Sequence, residues 1–231
     1  MYYYDPTYLL VIPAFIFALY AQMKVQSTFN RYLRIRSSYG MTGGDVARGI
    51  LASNGARDVK VEEIGTMLGD HFDPRTKTLR LSPQVYGSPS IAAVAVAAHE
   101  SGHAMQNQDS YGPLALRQAI LPVASFGSSL AVPLFIVGML LASSQGGQFL
   151  MSLGIWLFIG AVAFQLITLP VEFNASARAL ALLSDGGYVT ADEIPAARRV
   201  LEAAALTYVA AAAVAVTQLL RLLVLRNSRR D

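Results

Sequence analysis

A mainly α-helical integral membrane fold, with about four transmembrane helices and a small α+β part at the membrane surface, is what three features of the sequence predict. Hydrophobic side chains make up 54% of the 231 residues and the mean hydropathy is +0.42, too apolar for an ordinary soluble domain. Four apolar runs, 8–23, 119–142, 149–169 and 203–222, approach or exceed the length that crosses a hydrocarbon core. The more polar stretches 24–118 and 171–202 then form the extramembrane parts of one membrane-embedded domain, residues 1–231. The lipid bilayer is therefore a partner. Cysteine is absent, which removes disulfides and thiolate ligands and leaves histidine and carboxylate to hold any metal. The net charge of +3 is mildly basic, but arginine and lysine flank the apolar segments, which suits lipid headgroups and argues against nucleic acid.

Along the chain, the run 8–23 carries no charge, follows Tyr2, Tyr3 and Tyr4, and ends at Lys24. With no basic segment before it and no small-x-small cleavage site after it, it reads as a retained anchor with the tyrosines at the interface. Thr42 with Asp45 three residues on is a helix-start signature and Asn54-Gly55 a stop, so a helix is expected near 43–54. Val59 and Val61 alternate with charged residues, and residues 78–81 alternate again after the turn signal Asp73-Pro74-Arg75-Thr76, which predicts a small sheet or hairpin. Such an edge can take an extended substrate as an added strand, or be purely structural. Ser88-Pro89 should open a helix running through Gln106, too short to span a bilayer. The runs 119–142 and 149–169, joined by the polar link 143–148, make a transmembrane hairpin that returns the chain to the side it left. Pro170 is expected to break or bend the second of these spans, and the helical stretch after it should stop at Asp185-Gly186-Gly187. Thr190 or Asp192 caps a last helix leading into 203–222 and a basic end, Arg221, Arg226, Arg229 and Arg230.

Within the helix expected before Gln106 lies His99-Glu100-Ser101-Gly102-His103, an HExxH pattern. On a helix the two histidines stand one above the other and can present ring nitrogens to one metal ion. Glu100 points about 100° round from His99, placed to take a proton from a water that zinc activates. Glu172, at the end of the third apolar run, is an acid at a membrane boundary, where acids are costly and usually functional. The transmembrane hairpin brings it back to the side of His99 and His103, and two histidines, a glutamate and one open position make a catalytic zinc arrangement. The alternative is an interfacial charge acting on a helix dipole.

The sequence resembles the YugP-type neutral zinc metallopeptidases of bacterial membranes. The resemblance covers most of the chain and rests on four ordered blocks: Gly69-Asp70-His71-Phe72-Asp73-Pro74 with residues 77–82, residues 97–104 around the HExxH pattern, residues 169–176, and residues 204–211. The block at Glu172 is also similar to the E-x-x-A-D stretch of CAAX-prenyl-endopeptidase-type membrane proteases, with Ser176 standing where that pattern has Asp. The resemblance implies a gluzincin-like peptidase with one Zn2+, with His99, His103 and Glu172 as ligands and Glu100 as general base.

The expected activity is thus that of a membrane-bound zinc metalloendopeptidase acting on a peptide or membrane-protein substrate. Peptide hydrolysis at zinc commonly uses a further donor for the oxyanion, and His71, Asn174, Arg178, Tyr188 and Tyr208 are candidates, His71 also as a substrate contact. The alternative is a catalytically silent scaffold or accessory subunit with a structural or vestigial zinc site, although a structural site normally has four protein ligands. A metal transporter is disfavoured because the spans carry almost no ionisable residues. The chain is expected in the plasma membrane as a multi-pass protein. Lys24, Arg31, Arg34, Arg36 and Arg117 place the zinc part on the cytoplasmic side, whereas the C-terminal arginines pull the other way if all four helices cross.

Overall fold

The computed structural model describes residues 6–66 and 69–228, so Tyr2, Tyr3, Tyr4, Arg229 and Arg230 lie outside the described residues. The element order is α1 (Tyr8–Leu33), α2 (Gly43–Ser53), β1 (Lys60–Glu63), β2 (His71–Asp73), β3 (Thr78–Leu81), α3 (Pro83–Tyr86), α4 (Ile91–Gln108), α5 (Gly112–Leu140), α6 (Gln145–Asp185) and α7 (Ile194–Asn227). Helices α1, α5, α6 and α7 are long and apolar enough to cross a membrane. Their contacts divide the chain into two compact units, one made of Met1–Ala21, Leu116–Leu169 and Thr207–Asp231, the other of Gln22–Ala115 and Pro170–Leu206.

In the first unit, α5 and α6 are joined by a tighter turn than the polar link 143–148 implies, because α6 already begins at Gln145. Glycine makes that turn feasible: a Cβ on Gly147 would fall 1.9 Å from the Leu141 carbonyl oxygen. Gly138 and Gly154 likewise bring the two backbones close, and Phe135, Met151, Ile155 and Leu222 form the buried cluster. At the chain ends, the Arg221 guanidinium lies 3.8 Å from the Tyr8 ring centroid and its Nε donates to Thr7 Oγ1 at 3.0 Å. The start of α1 and the far part of α7 therefore meet.

The second unit holds the sheet. β3 is central, parallel to β1 with Lys60 opposite Thr78, and antiparallel to β2 with His71 opposite Arg80. The two alternating runs at 59–61 and 78–81 thus join one sheet but pair in parallel; the hairpin is β2–β3, whose first strand the alternation did not mark, turning through Lys77 at a φ of 48°. Asp73 holds the turn by accepting from the Arg75 N–H, Thr76 Oγ1 and Arg80, and these bonds lower its pKa to about 2. Leu79 and Leu81 of β3 are fully buried against α2 and α4 residues, among them Ala47, Leu51, Ala93 and Ala97. Each such leucine stabilises the unit by about 1.5–3 kcal/mol.

Helix boundaries follow local chemistry with two departures from expectation. The capping box at Thr42 is complete: its Oγ1 accepts from the Asp45 N–H at 3.2 Å and Asp45 Oδ2 from the Thr42 N–H at 3.1 Å. Ser88-Pro89, by contrast, does not open α4; the cap is Ser90, whose Oγ accepts from the Ala93 N–H. The cause is a short antiparallel bridge, in which the Ser37 N–H donates to the Pro89 carbonyl and the Ile91 N–H to Ile35, which holds residues 89–90 extended. Pro170 does not break the helix, since α6 is continuous from Gln145 to Asp185. Apolar helices tolerate an interior proline where neighbouring helices and local adjustment re-satisfy the freed carbonyl. At the start of α7, one bond of the expected cap at Thr190 is present. The Glu193 carboxylate accepts from the Thr190 N–H, and also from the N–H and hydroxyl of Ser38, which leaves Pro195 in the first turn.

Candidate metal centre

Two helices of the second unit, α4 and the end of α6 after Pro170, supply the site. They approach at Gly102, the second variable position of the HExxH pattern: a Cβ there would stand 2.7 Å from the Ala175 carbonyl oxygen. Ser101 beside it is fully buried and ties its hydroxyl to the Ala97 carbonyl. Both variable positions are thus small because the helix is enclosed there. The close approach brings Glu172, one turn before Ala175, against the histidine face of α4.

His99 and His103, four residues apart, stack edge to face with ring centroids 4.8 Å apart. Glu172 Oε2 lies 3.3 Å from His99 Nε2 and 3.6 Å from His103 Nε2. One donor atom from each residue falls within 4.8 Å of the others. The Glu172 side chain is 2% exposed and the histidines 13% and 12%. A carboxylate buried to that degree requires compensating positive charge.

These distances suit zinc. Donors about 2.0–2.2 Å from a tetrahedrally bound ion stand roughly 3.4 Å from one another, and the two nitrogen–oxygen separations bracket that value. The donor set also fits, with two imidazoles and one carboxylate and no thiolate in the chain. Behind each imidazole the other nitrogen is occupied: His103 Nδ1 is 2.9 Å from Gln106 Oε1 and His99 Nδ1 is 3.2 Å from Ser176 Oγ. Ser176 thus gives His99 a partner from the position where the prenyl-endopeptidase pattern has an aspartate. Burial lowers the His103 pKa, but the hydrogen bond to Glu172 and the charges of Glu100 and Glu172 together raise it above the ordinary histidine value. Glu100 follows His99 on α4, with 9% exposure.

The other expected participants are dispersed. His71 opens the edge strand β2, is exposed, and directs Nδ1 to the Gly69 carbonyl at 2.7 Å. Tyr188 packs its ring and hydroxyl against Gly49 of α2. Asn174 and Arg178 lie on α6 beside the site and bond to each other, with Arg178 ion-paired to Asp109. Tyr208 belongs to the stretch of α7 in the first unit. Sequence reasoning did not single out Gln106, which is fully buried one turn after His103. Its signal is an amide three residues after His103, one turn further along the histidine face of α4.

Comparison with known proteins agrees with this geometry in kind. A family model described as "Putative neutral zinc metallopeptidase" matches residues 7–227. The chain is 49% identical over 222 residues to the "Putative membrane protease YugP" of Bacillus subtilis (strain 168), which covers 96% of this chain and 97% of the relative. No solved structure matches the chain.

Proposed function

Given that the chain belongs to this neutral zinc metallopeptidase family, we propose that it is a multi-pass membrane endopeptidase cutting peptide bonds in peptide or membrane-protein substrates. The observation that carries the proposal is the convergence of His99, His103 and Glu172 from α4 and α6 on one small volume. In this reading His99 and His103 bind one zinc ion through Nε2 and Glu172 through its carboxylate. Zinc bound there supplies a Lewis acid that brings the pKa of a water from about 15.7 to about 7. Glu100 accepts one proton on a carboxylate oxygen as that water's oxygen attacks the scissile carbonyl carbon. It then delivers the proton to the amide nitrogen as the carbon–nitrogen bond breaks. His71, exposed on the edge strand, is assigned the lesser part of a substrate contact.

Three protein donors leave a position open for water and substrate, whereas a purely structural zinc normally has four. Among the described residues the cluster holds three. This supports the enzyme over the scaffold. The test is Glu100→Gln in detergent-purified full-length protein, assayed for zinc content and for cleavage of a peptide library. Zinc should remain at the wild-type level, and cleavage should fall by about 10²- to 10⁴-fold. Retained cleavage would remove Glu100 as the base, and a wild-type chain that holds no zinc after gentle purification would favour the scaffold.

A further inference from the structure

The ligands and the base account for neither Gln106 nor Asn174, yet these two residues decide which way the hydrogen bonds behind His103 run. Gln106 is fully buried near the end of α4. Its Nε2 lies 2.8 Å from the Val171 carbonyl oxygen and 2.9 Å from Asn174 Oδ1. A backbone carbonyl only accepts, so the Gln106 atom facing it must be the NH2 group. Asn174 is oriented independently: Arg178 Nε, which can only donate, lies 2.9 Å from Oδ1, and Arg178 is itself ion-paired with Asp109. Gln106 therefore spends both amide protons on α6 and leaves Oε1 to face His103 Nδ1 at 2.9 Å. An amide oxygen only accepts, so Nδ1 carries the hydrogen. In a neutral imidazole the lone pair then sits on Nε2, the atom 3.6 Å from Glu172. His99 is held differently. Its Nδ1 faces the Ser176 hydroxyl at 3.2 Å, which can donate or accept and so leaves the tautomer open.

We propose that Gln106, its amide oriented by the Val171 carbonyl and by Asn174, is the positioning residue that presets His103 to bind metal through Nε2. Arg178 and Asp109 anchor this hydrogen-bond chain at its outer end. The inference rests on His103 being a zinc ligand and adds what makes it a better one than His99. Partners of this kind raise ligand basicity and fix ring orientation, and their loss costs about 10- to 100-fold in metal affinity.

The test uses the full-length protein in detergent, with zinc affinity read by chelator competition and with the cobalt-substituted chain read by proton NMR. Gln106→Leu should bind zinc about 10- to 100-fold more weakly. In the wild-type cobalt form, the His103 ring N–H should exchange with solvent more slowly than the His99 ring N–H. The near-equal exposure of the two rings, 12% and 13%, would not produce such a difference. Wild-type affinity in Gln106→Leu, or equal exchange of the two protons, would each overturn the inference. The exchange measurement needs no variant and decides the matter even if Gln106→Leu does not fold. If metal binds and is lost in His103→Ala while Gln106 has no effect, this inference alone fails. If the wild-type chain binds neither zinc nor cobalt, the assignment of the ligands fails with it.

Discussion

Each donor at the centre makes a different demand on its surroundings. Glu172 keeps a carboxylate at 2% exposure, a position that is costly without a cation. Glu172→Gln should therefore weaken zinc binding by at least about tenfold, although the amide nearly matches the carboxylate in size, and chelator competition measures this directly. As a proposed ligand, His103 would make zinc binding depend on pH. A protonated imidazole cannot ligate, and the His103 pKa is raised, so metal and proton compete at higher pH than at an ordinary histidine of about 6.5. Affinity should hold at alkaline pH and fall as pH drops through the raised value; a midpoint below 6 would contradict this. The histidines and Glu100 were legible because their chemistry demands one helical spacing. Glu172 was legible as an acid in an apolar context. Ser176 was marked only by the resemblance at the Glu172 block and Gln106 not at all, because a hydrogen-bond partner behind a ligand is selected by how α4 meets α6, and no local pattern encodes that approach.

The elements show where local signals suffice and where tertiary contact overrides them. The capping box of α2 was readable from Thr42 and Asp45 alone, because both of its bonds are local. Thr42→Ala should cost about 1 kcal/mol of stability and leave zinc affinity unchanged, as a thermal unfolding shift in detergent would record. The start of α4 was misplaced by two residues because the competing partner, the 35–37 strand segment, is distant in sequence. The break expected at Pro170 is absent, since α6 runs on from Gln145 to Asp185; an apolar helix can carry an interior proline without ending there. Gly102 offers the complementary test. Gly102→Ala places a methyl where only 2.7 Å is available to the Ala175 carbonyl, so α6 must retreat from α4. Zinc affinity should drop by about tenfold or more, with stability affected less than affinity; unchanged affinity would show that the close approach does not set the site.

At the scale of the molecule, fold class and span number were evident from composition, since four apolar stretches became four long helices. Sidedness is a separate matter. The contact of Arg221 with Tyr8 and Thr7 sets the start of α1 beside the far part of α7, which suits an even number of crossings. If the basic residues from Lys24 to Arg36 face the cytoplasm, as the positive-inside rule expects, a cysteine placed at Arg36 should resist a membrane-impermeant thiol reagent in intact cells. The chain has no other cysteine, so labelling would be read without background and would reverse the assignment. The division of the ligands between α4 and α6 also bears on how the protein comes into being. His103 leaves the ribosome 69 residues before Glu172 (172 − 103), so a nascent chain carries an incomplete site through the synthesis of a whole transmembrane hairpin. On the proposed ligand set the site cannot close before α6 is inserted and docked, so the proposed peptidase would stay silent until its membrane assembly is finished.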